Sequence, residues 1–223
     1  MKIKSKITTV SAVAVLALTF TFSSFAAPIP FSDLGDNAAR DKILSLQEKG
    51  LVSGVGGSLF APDTGITAAQ SIQLIVKALD LNLNFVKFAK EPKATDYFQK
   101  ADNTAWYAKA LIIAAVNSMD LPSDLDLNAK WTREEFTYRL VQAAERHYNL
   151  PLVKIAPPEI KDMDVMTVEY TGTIQRALIY GITELDPDGN FKPKDKISRA
   201  QAAGEVYNVL EYINAQVPKA VID

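Results

Sequence analysis

One short motif recurs three times at nearly constant spacing, and that recurrence restricts the chain to architectures built from stacked, equivalent units. The copies are Ile66-Thr-Ala-Ala-Gln70, Trp131-Thr-Arg-Glu-Glu135 and Ile197-Ser-Arg-Ala-Gln201, with Thr67, Thr132 and Ser198 spaced 65 and 66 residues apart. Upstream, Gly57-Ser-Leu-Phe-Ala-Pro62 and Asp188-Gly-Asn-Phe-Lys-Pro193 each place a Phe six residues before the Ile of the motif. The middle copy keeps the spacing in degraded form, with Leu125-Asp-Leu127 at the Phe and Pro positions. Lys49-Gly-Leu51 and Tyr180-Gly-Ile182 then set a Gly ten residues before each Phe.

Each motif predicts a helix start. Thr67, Thr132 and Ser198 are N-caps, and Gln70, Glu135 and Gln201 stand at N3, which makes three capping boxes. Apolar residues follow at helical spacing: Ile72, Ile75, Val76 and Leu79; Phe136, Leu140, Val141 and Ala144; Ala203, Val206, Tyr207, Leu210 and Ile213. Earlier helices are predicted over Ala39–Gln47, Trp106–Val116 and Thr171–Tyr180. Trp131 precedes its cap as the apolar half of a hydrophobic staple with Phe136. The fold class is therefore all-α. Units of roughly 50–60 residues bury too little surface to be comfortable alone and are expected to share a core.

The N-terminus has the form of an export signal. Lys2, Lys4 and Lys6 precede an uncharged stretch centred on Val10–Phe20, and Ser24-Phe25-Ala26 supplies a small-x-small cleavage pattern before Ala27. The competing reading is an uncleaved anchor, because the uncharged stretch is long enough to span a bilayer. The Ser and Thr residues scattered through it and the cleavage pattern favour removal. Losing three lysines leaves 21 basic and 26 acidic side chains, a net charge of −5, on a chain expected to be secreted. With no lipid-bearing Cys, no second span and no C-terminal sorting segment, it is expected to diffuse away or bind something outside. That charge offers no basic face for nucleic acid, and no membrane contact is expected after cleavage. The absence of Cys removes disulfides, thiol catalysis and thiolate metal sites, and His147 is the sole histidine. No cofactor or metal is called for.

Together these motifs resemble a tandem of three S-layer homology domains, the modules that attach bacterial surface proteins to the cell wall. Phe31-Ser-Asp33 and Lys49-Gly-Leu51 carry the likeness in the first copy, and Trp106 with Thr132-Arg-Glu-Glu135 in the second. Asp188-Gly-Asn-Phe-Lys-Pro193 and Ser198-Arg-Ala-Gln201 carry it in the third. Residues 1–26 are assigned to the signal, 27–85, 94–150 and 158–217 to the three repeats, with Pro92 and Pro157-Pro158 in the linkers. The resemblance implies three helical repeats around a pseudo-threefold axis, a central three-helix bundle with projecting helical prongs, and ligand grooves between repeats. It also implies a ligand, a pyruvylated secondary cell-wall polymer ending in N-acetylmannosamine with a pyruvate ketal, and other S-layer proteins as further partners.

Arg133 and Arg199 occupy N1 of their helices, where the macrodipole disfavours a cation, so their recurrence asks for a functional reason. An Arg fork beside free helix-terminal N–H groups suits a carboxylate. Thr132 and Ser198 stand beside them. The first copy has Ala68 at the Arg position, so one of three grooves is expected to be weak or empty. Trp106 either stacks on a sugar face or packs in the core. Ser123, Asp124, Asp188 and Gly189 either bond sugar hydroxyls or simply make turns.

Other chemistry fails on spacing. Asp186-Pro-Asp-Gly-Asn190 opens like a calcium loop, but Phe191 and Ile197 stand where an EF-hand requires Gly and Glu. Glu134 and Glu135 are adjacent on a helix and point apart, unlike a glycosidase pair. His147 sits near a helix C-terminus, where a basic residue suits the dipole. The expectation is a non-enzymatic wall-binding protein. The alternatives are a helical adaptor for protein partners and a binder of peptidoglycan or another unpyruvylated polymer.

Overall fold

The computed structural model describes residues 30–151 and 154–216; the expected export signal lies outside them. Six α-helices follow in order, and no β-sheet occurs among the described residues: α1 (Arg40–Glu48), α2 (Ala68–Ala78), α3 (Ala108–Val116), α4 (Arg133–Tyr148), α5 (Val168–Ile179) and α6 (Arg199–Gln216). The all-α expectation is met. Helices α2, α4 and α6 are those the repeated motif starts, and they pack on one another; α1 lies against α6, α3 against α2, and α5 against α4.

All three capping boxes form. Thr67 accepts from the Gln70 amide while Gln70 Oε1 accepts from the Thr67 amide. The Thr132–Glu135 and Ser198–Gln201 pairs do the same. Thr132→Ala removes one such acceptor and should cost about 1 kcal/mol, read by chemical denaturation; a loss below about 0.3 kcal/mol would show that the α4 start is held by its neighbours alone. Glu135 is thus taken up by its cap, whereas buried Glu134 accepts from the amide and hydroxyl of Thr167 at the start of α5.

What joins the units is a closed cycle of main-chain bonds. The Trp131 amide donates to Ile66 O at 3.2 Å, Ile197 donates to Trp131 O at 3.1 Å, and Ile66 donates to Ile197 O at 3.2 Å. All three side chains are buried. The cycle continues outward: the N1 and N2 amides of each capped helix donate to carbonyls of the next unit's turn. Ala68 and Ala69 use Ala129 and Leu127, Arg133 and Glu134 use Asp195 and Pro193, and Arg199 and Ala200 use Thr64 and Pro62. A single core runs through all three capped helices, with Leu46, Ile72, Ile75, Leu79, Leu111, Phe136, Leu140 and Val206 fully enclosed.

The turn before each motif is held by a carboxylate in the outer copies. Asp33 accepts from the Phe60 and Ala61 amides at 2.8 and 2.7 Å, and Asp162 accepts from Phe191 and Lys192 at the same distances. Ala61 and Lys192 both have φ 58°, so the clip fixes a left-handed residue that a free loop would avoid. In the middle copy Gln99 donates to Ser123 O as Ser32 does to Ser58 O, which places Lys100 where Asp33 stands, and the clip is lost.

Candidate functional site

Arg133 and Arg199 both reach out of their own unit into the turn of the next. Arg199 donates from Nε to Phe60 O at 2.8 Å and from Nη2 to Ser53 O at 3.0 Å, and its guanidinium lies 4.6 Å from the Phe60 ring. Arg133 does the equivalent: Nη1 to Phe191 O at 2.8 Å, Nη2 to Glu184 O at 2.7 Å, and 4.6 Å from the Phe191 ring. It also donates to Thr183 Oγ1 at 3.0 Å, and its Nε lies 3.9 Å from Glu205. At the remaining interface both halves of the clamp are absent together: Ala68 stands at the Arg position and Leu125 at the Phe position.

One premise of the sequence reading is corrected here. The N–H groups at the starts of α4 and α6 are not free for an anion. N1 and N2 are spent on the neighbouring turn and N3 on the cap. Any ligand carboxylate would have to be met by side chains.

Two open grooves flank the clamps, at equivalent joints between units. The first, about 340 Å³, is lined by Ser53, Gly54, Phe60, Gln70, Gln73, Leu74, Lys77, Arg199 and Trp106. Arg199 keeps Nη1 without a bond to another described residue, and burial pulls its guanidinium below its usual range, with Asp33 opposing. It stays charged regardless. Trp106 is 59% exposed on the rim, which decides against core packing. Lys77 and Arg199 are the only ionisable residues in this lining, and both are cationic.

The second groove, about 520 Å³, has a different character. Arg133, Lys42, Asp63, Glu184, Glu205, Ser198, Gln201 and Asn208 line it, so three carboxyls face two cations. Glu205 is buried and accepts from the hydroxyls of Thr137 and Thr183, each at 2.8 Å. Burial pushes its carboxyl up to about 7, against the pull of Arg133 and the two hydroxyls.

The equivalent middle joint is filled by protein. Tyr138, at the register of Gln73 in α2, stacks on Tyr170 of α5 with ring centroids 4.2 Å apart. Its hydroxyl donates to Asp120 at 3.2 Å and accepts from Gln142 at 2.6 Å. Arg139 lies buried beneath the pair, between Tyr138, Tyr170 and Trp131. This is the joint where the motif Arg is missing.

Of the residues singled out from sequence, Arg199 and Trp106 meet in the first groove, and Arg133 and Ser198 in the second. Thr132 and Ser198 have their hydroxyls engaged in caps. Ser123, Asp124, Asp188 and Gly189 lie in turns and line neither groove: Ser123 O accepts from Gln99, and Gly189 O from Lys161. Sequence reasoning missed Lys77, Asn208 and Glu205. The signal was available, since Lys77, Gln142 and Asn208 all stand ten residues after their caps and face equivalent joints.

These features define a helical repeat protein with polar clefts at its joints. Residues 30–70 and 161–203 match the family model of the S-layer homology domain, and the chain carries S-layer homology domains at these two segments. That domain is a non-catalytic cell-wall anchoring module, and the chain is a secreted, cell-wall-associated protein. Similar proteins include the exoglucanase XynX of Acetivibrio thermocellus, 28% identical over 83% of this chain and 17% of that protein. An amylopullulanase of Thermoanaerobacterium thermosulfurigenes is 26% identical over 85% of this chain and 10% of that protein. An endoglucanase of Bacillus sp. (strain KSM-635) is 24% identical over 81% and 19%. The chain thus spans less than a fifth of the length of these relatives.

Proposed function

We propose that this chain anchors itself, and whatever it is joined to, to the bacterial wall by non-covalent binding of a pyruvylated secondary cell-wall polymer. The middle segment, 94–150, serves as a third, diverged unit of the same kind. The observation that carries the reading is the first groove: two cations, Lys77 and Arg199, no acid, and an exposed indole at the rim. A ketal carboxylate would pair with Nη1 of Arg199, and the sugar face would lie on Trp106. The Arg133 groove is the second candidate site, and the Tyr138–Tyr170 stack closes the third joint to ligand. The second groove is lined mainly by polar and charged groups, and the first sets Gln70, Gln73, Lys77 and Arg199 beside apolar Leu51, Val52, Val55 and Leu74. A charged group thus enters the lining of both, unlike the apolar groove an adaptor helix would need. No catalytic step is assigned to these clefts.

The test is co-sedimentation of the protein with purified walls, before and after removal of the ketal. Arg199→Ala should weaken binding about tenfold or more, the size of a lost charge-assisted bond. Because Arg199 also clamps the Phe60 turn, Trp106→Ala provides the independent check. It should weaken binding severalfold with an unchanged melting temperature, since the indole is exposed. Undiminished binding after ketal removal would overturn the carboxylate mechanism.

A further inference from the structure

Groove for groove, the two open joints are not chemically equivalent. Where the first presents Leu74 and Lys77, the second presents Glu205 and Asn208 at the same helical register. The Arg133 guanidinium is committed to Phe191 O, Thr183 and Glu184 O, with its remaining nitrogen toward Glu205. Its side chain is only 15% exposed. Asp63 and Glu184 add negative charge at the same lining, and Lys42 balances only one of them. A carboxylate entering here meets a spent arginine and a net acidic surround.

Building on the wall-polymer reading, we propose that Glu205 makes the Arg133 groove a site for an uncharged, amide- and hydroxyl-bearing sugar unit, while the Arg199 groove takes the anionic one. The polar side chains that remain suit such a unit. Among the described residues, Asn208 donates to Ile182 O and keeps its carbonyl oxygen, and Gln201 spends its carbonyl on the cap and keeps its amide donors. Together they offer one acceptor and a pair of donors, which complements hydroxyls and an acetamido group. The two grooves then select different units of one polymer, and the pair discriminates between glycans better than two copies of one site would.

The test uses the methyl glycoside of N-acetylmannosamine with and without its pyruvate ketal, titrated into the purified protein at pH 8 and followed by NMR. The Trp106 indole N–H reports the first groove; the side-chain amides of Gln201 and Asn208 report the second. The ketal glycoside should shift the indole alone, and the unmodified glycoside should shift the two amides. Glu205→Gln removes one like charge and should let the ketal glycoside reach the second groove, with an affinity gain of about tenfold. A ketal glycoside that shifts both grooves of the unaltered protein would overturn this proposal and leave the wall-polymer reading standing. One that shifts neither would overturn both. An unmodified glycoside that leaves the Gln201 and Asn208 amides unmoved would also overturn the proposal.

Discussion

Trp131→Ala should cost about 3–5 kcal/mol of folding stability, enough to remove much of the margin of a chain this size. The indole is 2% exposed and is one of the largest fully enclosed side chains. Its main chain is one of the three links in the cycle that joins the units, and its ring is one of the surfaces against which Arg139 lies, 5.1 Å away. Truncation therefore leaves a cavity at the junction and removes an aromatic face from a buried cation. Trp131→Phe keeps an aromatic face and should cost less than half as much. Chemical denaturation measures both. A loss under about 1 kcal/mol for the alanine variant would show that the junction collapses around the gap and that the cycle of main-chain bonds holds without the ring.

Glu205→Gln should stabilise the protein at pH 8 and do little at pH 4.5. In the fold this carboxyl is raised to about 7 from an ordinary 4.5 by burial. Below the lower value both states hold the proton and it makes no difference. Between the two values the unfolded chain ionises while the fold retains its proton, so stability falls as pH rises, and the loss levels off above about 7. The full swing is of the order of 3 kcal/mol. Glutamine keeps a partner for Thr137 and Thr183 without the charge and should flatten this slope. The opposite limb comes from Asp33, Asp96, Asp102 and Asp186, all held below the usual carboxylate range, chiefly by backbone amides. Their contribution is present above that range and is lost as pH falls through their lowered values, down to about 2 for Asp186. Melting temperature should therefore peak in mildly acidic buffer. An unchanged slope in Glu205→Gln between pH 5 and 7 would assign the alkaline loss to another group.

Local chemistry was legible because it depends on neighbours in sequence. A hydroxyl followed three residues later by Gln or Glu marks a helix start wherever it stands, and all three boxes formed at Thr67, Thr132 and Ser198. The helix predicted over Ala39–Gln47 is α1, Arg40–Glu48, and the one over Trp106–Val116 begins at Ala108. The third, from Thr171, starts earlier at Val168, since Thr167 before it is bonded to Glu134, a partner 33 residues away that no local pattern reveals. Asp33 was recognisable from its aromatic-x-Asp setting, whereas its counterpart Asp162 follows Ile160 and has no aromatic residue to mark it.

The grooves were the least legible feature, because each is assembled from three units. Trp106 comes from the second, Lys77 from the first and Arg199 from the third, and only the closed cycle brings them to one cleft. The arginines show the distinction most clearly. Their recurrence at N1 was visible in the sequence, where a cation placed against the local dipole asked for a reason. The reason itself is tertiary: each spans to the next unit's Phe turn, and the helix-terminal amides beside it are already spent. The sequence alone determined that this is a chain of capped helical units that must share a core, since periodicity and caps are set by residues close together. Which joints stay open, which is plugged by Tyr138 on Tyr170, and which carries Glu205 beneath its arginine were decided only by packing, because charge and shape at a joint are properties of residues that the chain holds far apart.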